Sequence, residues 1–128
     1  MAVAAGKKRK VTNVAQGIAF IDASFNNTKV SLTDSQGNLL SWSTAGANNF
    51  KGSRKGTPYA GQLAAQAAAR KAIDKYQLKR VAVKISGPGT ARDMAVRGLH
   101  SAGLEVISLE DITPLPHNGC RPRKKRRV

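Results

Sequence analysis

The sequence is short of several things that would decide a function quickly. It has one cysteine, Cys120, in 128 residues. An intrachain disulfide is therefore impossible, and no cysteine pair exists to start a zinc motif. Its two histidines, His100 and His117, add little. His100 falls on the polar side of a predicted helix, and His117 stands three residues before Cys120 in a proline-flanked segment, which is too few ligands for a metal site. Acidic residues number 7 against 22 lysines and arginines, for a formal net charge of +15. Two-metal chemistry needs several carboxylates on one spot. Only Asp22 and the Glu110-Asp111 pair fall at strand positions where such a cluster could gather. Asp34 lies in a turn, Asp74 on a helix surface, and Asp93 near a helix start. No run approaches the ~20 apolar residues of a membrane helix. The first ten residues lack the apolar stretch of a secretory signal. The expectation is a soluble, intracellular, strongly cationic protein of a reducing compartment, with no metal, no cofactor and no membrane partner.

What is present is enough for a folded body. Hydrophobic residues make up 41% of the chain, near the globular average. A domain of this length buries roughly two-thirds of its unfolded surface without staples. The charge is unevenly placed. Lys7, Lys8, Arg9 and Lys10 sit in the first ten residues, and Arg121, Arg123, Lys124, Lys125, Arg126 and Arg127 in the last eight, with no acid in either stretch. Like-charged runs cannot pack on themselves and stay extended until a polyanion neutralises them. The division expected is a basic N-terminal extension over 1–16, a globular α/β domain over 17–113 and a basic C-terminal tail over 114–128. Nucleic acid is the direct partner for such tails, through phosphate contacts and counterion release. An acidic membrane fits less well, because neither tail carries apolar anchors beside its charges.

Between the tails the apolar period changes from 2 to 3.6 twice, the mark of α/β alternation. Gly17 to Ser24, Thr28 to Thr33 and Leu39 to Thr44 read as three antiparallel strands. They are joined by a turn at Phe25-Asn26-Asn27 and a hairpin at Asp34–Asn38 with Gly37 at positive φ. The alternation of Leu40 with Trp42 puts both on one face, and Trp42, Phe20 and Tyr76 read as core positions. Thr57 as N-cap and Pro58 at the first helical position open a helix that runs to about Gln77. Ala65, Ala69, Ala72, Ile73 and Tyr76 form its buried stripe, opposite Arg70, Lys71, Asp74 and Lys75. Val81, Val83 and Ile85 alternate in a fourth strand ended by Gly87-Pro88-Gly89. Thr90 reads as the cap of a second helix with Asp93 in a variant capping box, its apolar face Ala91, Met94, Ala95, Gly98, Leu99 and Ala102, its stop Gly103. A fifth strand covers Leu104 to Leu109. The order is βββαβαβ, with parallel crossings at the end and hence a mixed sheet.

Enzyme motifs are not completed. The Gly52–Thr57 loop lacks the Lys-Ser/Thr of a phosphate-binding loop, and Gly87-Pro88-Gly89 lacks the third glycine of a dinucleotide fingerprint, Arg92 standing there instead. Binding chemistry is better supplied. The turn at Ser24–Thr28 offers the donors and acceptors of Asn26 and Asn27, although its spacing serves a plain turn equally well. Lys51, Gly52, Ser53, Arg54, Lys55, Gly56 and Thr57 bring three cations, hydroxyls and close-approach glycines to a helix N-terminus, where free N–H groups favour phosphate. Gly87, Pro88, Gly89 and Arg92, with Arg97 beyond, repeat that arrangement at the second helix. With aromatics at 5%, base stacking on a sheet face is a minor mode. Backbone and shape recognition of folded RNA is the expectation. The closing Pro122–Val128 run also fits a nuclear import signal, so a nuclear nucleic-acid binder stays as the rival.

Four segments in order, Ser24-Phe25-Asn26-Asn27-Thr28, Phe50–Lys55, Gly87-Pro88-Gly89 and Ile112-Thr113-Pro114-Leu115-Pro116-His117-Asn118-Gly119-Cys120-Arg121-Pro122, closing on Lys124-Lys125-Arg126-Arg127-Val128, carry a resemblance. From about Gly17 to Val128 the chain resembles the bacterial small-subunit ribosomal protein eleven family, the universal S-eleven family. The resemblance implies a ribonuclease H-like α/β fold without catalysis, with a five-stranded mixed sheet and two main helices. It implies a cytoplasmic, structural role in translation, bridging rRNA helices on the platform of the small ribosomal subunit, beside the Shine–Dalgarno cleft and the mRNA path. Implied neighbours are small-subunit proteins seven and eighteen, with initiation factor three nearby. It extends the rRNA-binding set to His117, Asn118 and Gly119. Asn48-Asn49 before Phe50 and Arg123 after Pro122 depart from the family pattern, and the contacts of Lys7–Lys10 rest on charge alone. The Asn118-Gly119 pair is prone to isoaspartate formation, since glycine does not shield the preceding amide.

Overall fold

A computed structural model describes residues 13–48 and 52–127, and among 53–54 the backbone only. The predicted extension cations Lys7–Lys10, and Lys51, lie outside the described residues. The strands are β1 (Gln16–Ala23), β2 (Thr28–Asp34), β3 (Leu39–Thr44), β4 (Arg80–Ser86) and β5 (Glu105–Asp111). The helices are α1 (Pro58–Tyr76) and α2 (Arg92–Ser101), and a 3-10 turn spans Gly52–Gly56. The sheet order is β3-β2-β1-β4-β5. β1 is antiparallel to β2 and β2 to β3, while β4 is parallel to both β1 and β5. The expected order and mixed sheet are therefore present.

One core lies between the sheet and the two helices. Ala19 and Ile21 of β1, Val30 and Leu32 of β2, and Val81, Val83 and Ile85 of β4 face Ala64, Ala65, Ala68, Ala69 and Ala72 of α1 and Ala95 and Leu99 of α2. Alanine along α1 lets that helix lie close to the strands. Gly98 does the same between the helices, where a Cβ would stand 2.5 Å from the Gln62 carbonyl oxygen. Small side chains on both partners bring the backbones together at native packing density.

Two expectations about the core fail for one reason. The β2–β3 register shifts at Leu32/Thr33, leaving Leu40 as the extra residue of a bulge. A one-residue shift exchanges the faces of everything beyond it. Leu40 still packs against the core. After it, Ser41 and Ser43 are the buried residues, and the Ser41 hydroxyl donates to the Ala68 carbonyl at 2.8 Å. Trp42 is turned out, 54% exposed, with the Lys71 ammonium 5.9 Å from its ring centre. It is not a core residue. Phe20 lies on the sheet face opposite Ala19 and Ile21, half-buried, as Tyr76 is on α1. The α1 cap is as expected: the Thr57 hydroxyl accepts from Ala60 N–H, and Gln77 closes the helix in the left-handed region. The α2 cap is not. Ala91 occupies the cap position with no side-chain hydrogen bond, and the Thr90 hydroxyl is directed at the Gly56 carbonyl, 3.5 Å away. The competing loop contact displaces the capping box. β5 extends two residues past Leu109 and is exposed along nearly its whole length.

Candidate nucleic-acid interface

The register places both ends of the sheet. At one end stand Ala23, Thr28, Thr44, Ser86 and Asp111, and both helices begin there. At the other stand Gln16, Asp34, Leu39, Arg80 and Glu105. The loops singled out in the sequence, at 24–28, 50–57 and 87–92, have their described parts, 24–27, 52–57 and 87–91 between the regular elements, at the first end, called the loop end below.

Glycine lets these loops touch. A Cβ on Gly56 would stand 2.3 Å from the Phe25 carbonyl oxygen, and one on Gly89 2.5 Å from that of Ser24. One on Gly87, at φ +100°, would meet the Ala23 carbonyl oxygen at 2.4 Å. Such distances exclude any side chain unless the backbone moves. The Gly89 N–H donates to the Ala23 carbonyl at 2.7 Å, joining the β4 exit to the β1 exit. Gly61 meets the second helix start, its Cβ position only 2.6 Å from the Ala91 methyl. Loops separated by more than thirty residues of chain are thereby locked into one backbone surface.

The candidate side chains occupy this surface unevenly. Asn26 is exposed, while Asn27 serves the turn itself: its Oδ1 accepts from Thr28 N–H at 2.9 Å and its own N–H donates to the Ser24 hydroxyl at 3.1 Å. Lys55 is half-buried beside Gly46, and Thr57 is exposed at the α1 start. Ser53 and Arg54 are placed by backbone within the 3-10 turn. Gly87 and Gly89 form the contacts just described, and Pro88 is exposed between them. Arg97 is exposed on α2, five residues on from Arg92. Arg92 is paired with Asp111, Nη2 to Oδ2 at 2.5 Å. Asp111 also accepts from the Thr113 N–H and hydroxyl. Those Thr113 hydrogen bonds, reinforced by Arg92, lower its pKa to about 2. The carboxylate stays charged to strongly acidic pH.

One group escaped sequence reasoning. Phe25 is 71% exposed at the tip of its turn, a flat apolar surface beside the asparagines. An aromatic residue between Ser and Asn-Asn in a turn was the available signal. The tail leaves from the same end: Ile112 N–H donates to the Ile85 carbonyl at 2.7 Å, and His117, Asn118, Gly119 and Arg121–Arg127 follow, exposed and without regular structure. Asn118 lies in the left-handed region at φ 55°. Among the described residues no group of three His, Cys, Asp or Glu side chains could hold a metal ion, and no helix is long and apolar enough to cross a membrane.

Fold and site together define a cationic α/β scaffold whose surface chemistry is that of holding a polyanion. Comparison with known proteins makes the assignment specific. The ribosomal protein S11 family model matches residues 17–127. Curated proteins described as small ribosomal subunit protein uS11 from Coxiella burnetii strains CbuK_Q154, CbuG_Q212 and RSA 493 are each 60% identical over 121 residues, covering 94% of this chain and 98% of theirs. The chain belongs to the ribosomal protein S11 family. It is a structural, RNA-binding ribosomal protein and not an enzyme.

Proposed function

We propose that this chain is a structural constituent of the small ribosomal subunit, in the cytoplasm, that binds and bridges rRNA helices on the subunit platform, next to the Shine–Dalgarno cleft and the mRNA path. The observation that carries the reading is the convergence of the Asn26-Asn27 turn, the Gly- and Lys-bearing 52–57 turn, the Gly87-Pro88-Gly89 loop and the basic tail on one end of the sheet. In this reading the body contacts RNA through Asn26, Asn27, Lys51–Lys55, Thr57, Gly87–Gly89 and Arg97. The tail contacts it through His117–Gly119 and the cations from Arg121 to Arg127. Exposed backbone at the glycines approaches phosphate and sugar closely, as shape recognition of folded RNA requires.

Bridging is supported by where the described chain enters and leaves the sheet. Val14 is tied to the Tyr76 carbonyl at the far end of the sheet, and the tail departs from the loop end. The eight residues of β1 separate the two points by about 26 Å. The neighbours in this reading are small-subunit proteins seven and eighteen, with initiation factor three and mRNA close by. The order of three antiparallel strands followed by two crossovers supports a ribonuclease H-like fold without catalysis.

Sedimentation of tagged protein from lysate, with a high-salt wash, tests the reading. Co-migration with small subunits that survives the wash is the expected result. Loss to the top of the gradient leaves only salt-labile charge attraction and rejects it.

A further inference from the structure

Arg92 stands at the start of α2, where a phosphate ligand would be expected, yet its guanidinium is engaged. It donates to Asp111 Oδ2 at 2.5 Å. The other oxygen of Asp111 accepts from the Thr113 hydroxyl at 2.6 Å and the Thr113 N–H at 3.0 Å. The Thr113 hydroxyl in turn accepts from Gly87 N–H at 3.1 Å. These groups line a shallow cleft with Pro88 and Leu115. The series joins the first residue of α2, the last residue of β5, Thr113 at the root of the tail and the exit of β4. Beyond it come Pro114 and Pro116, which hold the chain extended at about 3.1 Å per residue, and then the six cations.

We propose that Arg92, Asp111 and Thr113 form a clasp that fixes the origin and direction of the basic tail, so that Arg92 is a positioning residue for RNA binding and not a phosphate ligand. The inference rests on the reading of the tail as an RNA-binding arm. A tail that starts from a fixed point and runs through stiff prolines searches a smaller volume. Its cations are then presented to phosphates at higher effective concentration without any new contact. Leu115, 80% exposed just past the clasp, is carried in the same fixed direction.

The two roles for Arg92 differ in sign at Asp111. If Arg92 bound phosphate, Asp111→Ala would free it, remove a negative charge and tighten binding. A clasp requires the opposite. Full-length protein titrated onto a small-subunit rRNA transcript is expected to bind about threefold to tenfold more weakly as Arg92→Ala, as Asp111→Ala, and as the double variant, with no further loss in the double. The salt slope stays unchanged, because the number of phosphate contacts is unchanged. In a full-length background with the six tail cations changed to Gln, Asp111→Ala should have no effect; a merely destabilised body would still lose affinity there. Tighter binding by Asp111→Ala, or a salt slope reduced by Arg92→Ala, overturns the clasp. Amide hydrogen exchange of the free protein reads it independently of RNA. Gly87 and Thr113 should exchange slowly and become fast in Asp111→Ala; equal rates in both proteins also overturn it. Absence of salt-sensitive binding by the unaltered protein, with those amides still protected, rejects the RNA reading and leaves the clasp standing.

Discussion

The two ends of the sheet are closed by different physics. At the end opposite the loops, closure is local. Asp34 Oδ1 accepts from the N–H groups of Gln36 and Asn38, both at 2.9 Å, and Asn38 Nδ2 donates to Asp34 Oδ2 at 3.1 Å. The Asn38 backbone and side chain hold the Asp34 carboxyl below its ordinary pKa. Its charges are mixed, with Arg80 4.0 Å from Glu105. At the loop end, closure is non-local: backbone from β1, the 52–57 turn and the β4 exit meet where glycine removes the side chain. A hairpin closed by its own residues needs no neighbour and is free to be solvated. A surface made from three distant loops, tied by backbone contacts, exposes backbone and suits recognition of a folded polyanion.

The largest expected difference between the ends is in stability. Gly87→Ala combines left-handed strain with an overlap on the Ala23 carbonyl and should cost about 3 kcal/mol. Gly37→Ala, at φ +89° with nothing within 4 Å of its Cβ position, should cost about 1 kcal/mol from strain alone. Urea midpoints compare them; equal costs would mean that the loop end yields easily. Next comes charge. Changing the six tail cations to Gln in the full-length chain should lower the salt slope of rRNA binding by about 4 to 5. Changing Lys75 and Lys79 at the other end should leave it where it was. A smaller effect is expected at Lys55→Gln, a slope reduced by about 0.7 to 0.9 for one lost phosphate contact. Smallest is a chemical change: Asn118, exposed before Gly119, should accumulate isoaspartate, while Asn38, bonded to Asp34 and followed by Leu39, should not. Peptide mapping with isoaspartate methylation checks the pair, and an unmodified Asn118 ends that expectation.

The same contrast decides what could be read from the sequence. Local chemistry was legible: the Asp34–Asn38 hairpin, the Thr57 cap, the Gly103 stop and the alternation of Val81, Val83 and Ile85 all depend on neighbours in the chain. The bulge at Leu40 was not, because it is set by pairing with β2, and it turned Trp42 outward and put Ser41 and Ser43 against α1. The Thr90 cap failed because Thr90 lies beside Gly56, thirty-four residues earlier. Charge and glycine content located the 52–57 and 87–91 loops, and the paired asparagines the 24–27 turn. They could not say that Asn27 serves its own turn or that Arg92 already has a partner, since Asp111 is nineteen residues away in sequence.

Ultraviolet cross-linking of assembled small subunits, with mass-spectrometric mapping of the peptides joined to RNA, tests the central claim most directly. The account predicts cross-links within residues 24–27, 52–57, 87–91 and 117–127, and none in the 34–38 hairpin. Cross-links centred on that hairpin and the C-terminal end of α1, with the glycine-joined loops unmarked, would contradict it.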